Sequence, residues 1–202
     1  MSEVIFDPFG DYKQRGYLRN THQRPLGKEI KKLEAYFFYK NIQIALDELM
    51  GLDELDYASL LATHRRLFEE LYPWAGQDRY QLFPGSVVWK QQTVFAPSNY
   101  IERAFELGWK SSSTLGQTLG HWLYAHPFLE GNGRAIFTFF DVYLSKQHQE
   151  LAWNELDKSS FLRAIDDQIQ NPEGTALDQV LQPYLRQKGI SHTPSGLTKI
   201  QF

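Results

Sequence analysis

Cysteine is absent from the 202-residue chain, which excludes disulfides and thiolate metal sites. A basic excess is missing too. Lys and Arg number 21 against 24 Asp and Glu, a formal charge of -3, so the charge footprint of a general nucleic-acid binder is not there. No window approaches 18 unbroken apolar residues, so no membrane span is expected. The opening "MSEVIFDPFGDYKQ" has no basic start followed by an apolar run, so no signal peptide is read. Internal repeats, low-complexity tracts and long linkers are also lacking. What is present is apolar mass: 42% hydrophobic residues, with 14 Phe, 11 Tyr and 5 Trp. That is enough for one sizeable core. A single cytoplasmic domain is the expectation, with secretion as an effector left open.

The chain reads as mainly helical. Ile30, Leu33, Phe37, Phe38, Ile42, Ala45, Leu46 and Leu49 recur near a 3.6-residue period over 28–50, and Gly51 stops the run. Asp56 is placed to cap a second helix carrying Leu60, Leu61, His64, Leu67, Phe68 and Leu71, which ends at "YPWAGQ". Residues 79–96, rich in Val, Phe, Tyr, Thr and Trp and broken by Pro84-Gly85, read as a β-hairpin flap and the only strand-like segment. Asn99 and Glu102 suggest a capping box for the next helix. "STLGQTLGHWLYA" forms another, ending at His126-Pro127. A buried helix follows from about Asn132 through "GRAIFTFFDVYLSKQ". Two amphipathic helices come next, one with Phe161, Leu162, Ile165 and Ile169, the other running from Leu177 to Leu185, separated by "NPEG". The tail after Gly189 is polar.

The chemistry concentrates in "HPFLEGNGRAIF", residues 126–137. A loop enters a helix here, and a helix start offers unpaired N–H groups and the positive end of a dipole. Gly131 and Gly133 let a phosphate approach that backbone. Arg134 is unfavourable in a first helical turn unless it meets an anion. Glu130 suits a hard cation shared with phosphate oxygens. His126 suits a general base. Together these parts describe a phosphate-handling site with a base on its rim.

The stretch resembles the motif HPFx[DE]GNGRxxR of the Fic family at eight positions: His126, Pro127, Phe128, Glu130, Gly131, Asn132, Gly133 and Arg134. "GYLRN" at 16–20 with "LEAYF", "HRRLFEELYPWAGQDR" at 64–79 and "FAPSNYIE" at 95–102 are similar to further family segments, so the likeness spans most of 16–185. The resemblance implies a Fic fold, a helical bundle with a short β-hairpin flap over the active-site loop. It implies a single Fic domain over 1–202, with an irregular segment at 1–15, a core at 16–188 and a loose tail at 189–202.

By the same resemblance the activity is transfer of AMP from ATP to a Ser, Thr or Tyr hydroxyl of a target protein, with release of pyrophosphate. His126 would be the catalytic base and Glu130 the ligand of Mg²⁺ or Mn²⁺. Gly131, Asn132 and Gly133 would form the anion nest and Arg134 would hold a donor phosphate. Pro127 and Phe128 would be structural. The flap, roughly 80–95 with Val94 and Phe95, would align the target segment by strand pairing. Family analogy also implies a growth-blocking toxin held by a small, separate antitoxin-like inhibitor.

One position departs from the pattern. Phe137 stands where the family has a second arginine, which commonly contacts the terminal phosphates and pairs with an inhibitory glutamate. The inhibitory pattern [ST]xxxE[GN] finds its nearest fit at Ser98 to Glu102, but Arg103 follows, so no internal inhibitor is read. A weaker grip on ATP, another nucleotide or phosphate-containing donor, or a catalytically impaired binding module all remain open. Other features read as structural. His64 is a satisfied core histidine, and His121 is a packing residue five positions from His126, wrong for a zinc pair. "EGNGR" is no Walker loop, "KEIKK" is a solvated face, and "AYFFY" is core with some outward members.

Overall fold

The structure, a computed structural model, describes residues 9, 19–24, 27–90 and 92–187. The irregular start at 1–15, most of "GYLRN" and the tail at 189–202 therefore lie outside the described residues. Helix α1 (Lys28–Met50) buries Ile30, Phe37, Phe38, Ile42, Ala45, Leu46 and Leu49, and with them the polar Glu34 and Asn41. Asp56 caps α2 (Tyr57–Phe68), its side chain accepting from Ser59 N at 2.7 Å. That helix ends sooner than its apolar spacing suggests. Phe68 O accepts from both Leu71 N and Tyr72 N, which tightens the chain into a turn, so Leu71 is buried but not helical.

Helix α4 (Ile101–Lys110) packs on α5 (Leu115–Ala125). Helix α6 (Asn132–Lys146) runs through the centre, in contact with α1, α2 and α5. Ala135, Ile136, Phe137, Phe139, Phe140, Val142 and Leu144 are all buried on it, as expected of a helix that is apolar on most sides. Helix α7 (Lys158–Gln170) and the short α8 (Ala176–Leu181) close the far side against α5.

The strand content differs from expectation in two ways. The flap is mostly not strand. Asp78 accepts from Gln81 N at 2.9 Å and starts a single helical turn, α3 (Arg79–Leu82). Only β1 (Trp89–Lys90) and β2 (Thr93–Val94) then pair, antiparallel. A second two-stranded ribbon exists where none was read: β3 (Gln149–Leu151) pairs antiparallel with β4 (Leu185–Gln187). Its strands are too short for alternation to register. The Asn99–Glu102 box is also absent. A 3₁₀ turn at Ser98–Tyr100 precedes α4, and Tyr100 N already bonds Pro97 O at 2.8 Å, so no side-chain cap forms.

Candidate active site

Helix α5 stops because His126 adopts a left-handed conformation, φ 42° and ψ 58°, which is uncommon for a residue with a Cβ. Buried Arg79 holds it there. Its Nε donates to His126 O at 2.8 Å, its terminal nitrogens reach Ala96 O at 2.7 Å and Ala125 O and Ser86 O at 3.4 Å, and its own backbone N donates to Pro127 O at 2.7 Å. One guanidinium thus ties the base-bearing turn to both ends of the flap. Burial lowers the Arg79 pKa to about 10, so it remains a cation at neutral pH.

The His126 ring stacks on Phe95, centroids 3.9 Å apart. Burial, then the charges of Arg79 and Lys90, push its pKa down to about 3. The imidazole is therefore neutral at physiological pH and free to accept a proton. It is only partly shielded and lines the cavity described below.

His64 supports the other end of the loop. Its Nδ1 accepts from Gly76 N at 3.0 Å, which leaves the proton on Nε2 for donation to Glu130 O at 3.0 Å. Its ring lies on Phe128, centroids 3.7 Å apart, and burial lowers its pKa to about 3. The satisfied core histidine read from sequence thus also fixes the backbone of the expected metal ligand. Asn132 completes the clamp. Its Oδ1 accepts from Phe128 N at 2.8 Å and its Nδ2 donates to Phe128 O at 2.7 Å. Both polar atoms of that side chain face inward, so Asn132 offers a ligand its backbone N–H, not its amide. Gly131 is required by the fold: φ is +79°, and a Cβ would stand 2.7 Å from Phe68 Cε2.

At the start of α6, the first backbone N–H groups have no partner within the helix. Arg134 Nη1 is buried without a hydrogen-bond partner, 3.7 Å from Glu34 Oε2. Glu34 is fully buried. Tyr72 OH donates to its Oε1 at 2.5 Å, and burial, then the charge of Glu130, raises its pKa. Lys31 Nζ lies 2.9 Å from Glu130 Oε2 and 3.3 Å from Glu34 Oε2. Partial burial disfavours this ammonium, but the two carboxylates outweigh it and raise its pKa.

The loop borders one cavity of about 580 Å³. His126, Glu130, Gly131, Asn132, Gly133, Arg134, Lys31 and Lys90 form its polar wall, and Phe137, Trp153, Leu156, Phe161, Ile165 and Ile169 its apolar wall. Phe137 is 3% exposed and packs on Trp153 and Phe161, centroids 5.4 and 5.5 Å away. It has left the polar wall for the aromatic one.

Glu130 suits a hard divalent cation. Its carboxylate lines the cavity, 28% exposed, beside the anion-ready helix start. No cluster of three His, Cys, Asp or Glu side chains occurs among the described residues. Any divalent cation held here would take its remaining ligands from water and phosphate, as magnesium commonly does.

The structure brings together every residue expected of the loop. Pro127 and Phe128 are buried supports. The two flap residues part company: Phe95 turns in against His126, while Val94 is 57% exposed on β2. His121 is half-buried and does not line the cavity. Arg79, Lys31 and Glu34 were not singled out by the sequence reading. Arg79 lies in the family-like segment 64–79 and Glu34 in "LEAYF", but Lys31 looks like an ordinary helix-surface charge until α1 is docked. No helix among the described residues is long and apolar enough to cross a membrane.

Comparison with known proteins agrees with this geometry. The Fic/DOC family model matches residues 54–144. A probable protein adenylyltransferase, y4lH, of Sinorhizobium fredii is 27% identical over 162 residues, covering 73% of this chain and 81% of that protein. Protein adenylyltransferase VbhT of Bartonella schoenbuchensis is 24% identical over 174 residues. That match covers 78% of this chain but only 35% of VbhT. Among solved structures, the BepC effector protein of Bartonella tribocorum with bound AMPPNP superposes with a TM-score of 0.67 at 15% identity, covering 88% of this chain and 96% of that one. The N-terminal Fic domain of a Bep effector protein of Bartonella quintana with bound ADP gives 0.68 at 19% identity, covering 88% and 94%. The fold, the 126–134 loop and the match over 54–144 agree: residues 54–144 of this chain match the Fic/DOC family model, and its fold is that of the solved Fic domains.

Proposed function

We propose that this protein is an adenylyltransferase that moves AMP from ATP to a hydroxyl side chain of a target protein and releases pyrophosphate. The observation that carries the reading is the shared cavity. A neutral histidine, a carboxylate, an arginine and a helix start border a single space whose other wall is aromatic. The names of y4lH and VbhT point to the same activity.

The residues divide the work. The backbone N–H groups of Asn132 to Arg134 bind phosphate oxygens and stabilise the charge that builds on them in the transition state. The target hydroxyl gives its proton to His126, and its oxygen forms the new bond to the α-phosphorus. The bond from that phosphorus to the α,β-bridging oxygen breaks, and the electron pair leaves with pyrophosphate. Negative charge on the donor raises the proton affinity of His126, offsetting the burial that lowers it. Glu130 would hold Mg²⁺ or Mn²⁺, which when bound supplies charge neutralisation on the phosphates. The aromatic wall of Trp153, Phe161 and Phe137 gives the donor base a dry face. The β1–β2 hairpin presents its edge to an extended target segment, with exposed Trp89 and Val94 beside it.

A second reading is favoured by Phe137 alone. Its apolar wall at the end of the cavity also suits another nucleotide or phosphate-containing donor. A catalytically impaired module is the weakest alternative, because base, carboxylate and arginine stay in register. We place the protein in the cytoplasm and assign its inhibition to a separate small protein, as among the described residues no helix bears the inhibitory pattern. Incubation with ATP, Mg²⁺ and a cell lysate tests the activity: a labelled protein band and released pyrophosphate are expected. GTP, UTP or CTP labelling in place of ATP would move the conclusion to the second reading.

A further inference from the structure

We propose that Lys31, delivered by helix α1, is the second cation of the donor site and binds the terminal phosphates that α6 itself leaves without a counter-charge. This rests on the adenylyltransferase reading.

The argument starts from charge. A triphosphate bound at the start of α6 meets the N–H groups of one helical turn and Arg134. One turn further along, α6 offers Phe137, which is packed among Trp153 and Phe161 and carries no charge. A second countercharge must come from another element. Four cations line the cavity among the described residues: Lys31, Lys90, Arg134 and Lys158. Lys90 sits on the flap and acts on His126, at the base end of the site. Lys158 begins α7, on the side of Leu156 and Phe161.

Lys31 alone is placed with Arg134. Both flank the same buried oxygen, Glu34 Oε2, Lys31 at 3.3 Å and Arg134 at 3.7 Å. That oxygen makes no hydrogen bond within the protein, although Tyr72 holds its neighbour Oε1. Glu34 therefore acts as a buried strut that sets two cations side by side without saturating either. The Lys31 ammonium also reaches Glu130 Oε2 at 2.9 Å, immediately before the Gly131 turn, so it stands at the mouth of the phosphate cradle. Its side chain is 53% exposed and has freedom to move toward an incoming anion. A divalent cation held by Glu130 would compete with Lys31 for that carboxylate and leave the ammonium available to phosphate.

The test is calorimetric titration of AMP, ADP and ATP in the presence of Mg²⁺, for the wild-type chain, Lys31→Met and Lys31→Arg. Loss of one charge-assisted contact should weaken ATP binding by about tenfold or more in Lys31→Met. AMP should bind as before, ADP should fall between, and Lys31→Arg should retain most of the ATP affinity. A merely structural role would weaken all three nucleotides alike, and that result overturns the proposal. So does a Lys31→Met variant that binds ATP as tightly as the wild type while the wild type still labels a target, which leaves the activity standing. A wild type that binds none of the three nucleotides overturns both. Thermal unfolding of Lys31→Met with an unchanged midpoint confirms that binding was measured on folded protein.

Discussion

The loop at 126–134 and the flap at 79–96 touch each other and border the same cavity, yet they are held in opposite ways. Three buried polar side chains from elsewhere in the chain or the loop fix the loop: Arg79, His64 and Asn132. Its turn residues, His126 and Gly131, sit in left-handed conformations that the surroundings enforce. The flap has two residues per strand, and the pair away from its turn, Trp89 and Val94, is exposed. It is pinned chiefly where Thr93 Oγ1 donates to Asp166 Oδ1 at 2.8 Å, where Phe95 meets His126, and where Ser98 N meets Ser86 O at 2.9 Å. The difference teaches where rigidity is needed. A base and a phosphate cradle must be placed to within a fraction of an ångström. A surface that pairs by backbone hydrogen bonds works with a pliable edge. Arg79 joins the two, so the flap is rooted in the same guanidinium that shapes the base.

The largest expected effect is on the loop's chemistry. His126→Ala should lower transfer by about 10²- to 10⁴-fold, with the melting midpoint close to wild type because Arg79 binds its backbone, not its ring. Assay of labelled target under single-turnover conditions checks this. Retention of near wild-type labelling would remove His126 as the base.

Next is the root shared by both regions. Arg79→Met should destabilise the fold by about 3 kcal/mol, since several buried carbonyls lose their donor at once. Denaturant unfolding measures it. A cost near that of an average surface substitution would mean that loop and flap are held independently of Arg79.

Much of this division was legible in the sequence, and part was not. The run from His126 to Arg134 was legible because eight residue types at fixed spacing act through local backbone geometry, which the sequence specifies directly. Helix α1 and the cap at Asp56 were legible from period and capping chemistry. The hairpin flap is present but shorter than its span of 79–96, because Val and Phe propensity does not reveal that Asp78 starts a helical turn there. The β3–β4 ribbon joins residues more than thirty positions apart, information that no local window contains. Asn132 is expected in the anion nest, and since its side-chain amide turns to Phe128 it can join that nest only through its backbone N–H, which local sequence does not reveal. Lys31 and Glu34 acquire meaning only from the packing of α1 on α6.

The pH dependence sharpens the comparison, because the two histidines that burial lowers most, His64 and His126, belong to the loop and its support. Each is held near a pKa of about 3 while an unfolded histidine titrates near 6.5. Unfolding therefore takes up protons below pH 6.5. Their contribution to stability is whole above that pH and is lost as pH falls toward 3, at up to about 1.4 kcal/mol per pH unit for each. His126 borders the cavity, so its share is the smaller. Unfolding free energy measured from pH 7 to pH 5 should fall less steeply in His126→Ala than in the wild type. Equal slopes would mean that His126 titrates normally.

The smallest effect is expected at the flap. Thr93→Val removes the bond to Asp166 and should cost about 1 kcal/mol or less in stability. It should raise the apparent KM for the target protein a few-fold while leaving ATP affinity unchanged. Weakened ATP binding of similar size would make the flap part of the donor site.

The most direct test of the account is the position of the transferred label. The protein is incubated with its target, Mg²⁺ and ATP labelled at either the α- or the γ-phosphate, in parallel with His126→Ala. The account predicts label on the target from α-labelled ATP only, and none in the variant. Label arriving from the γ-phosphate, or equal labelling by His126→Ala, would contradict it.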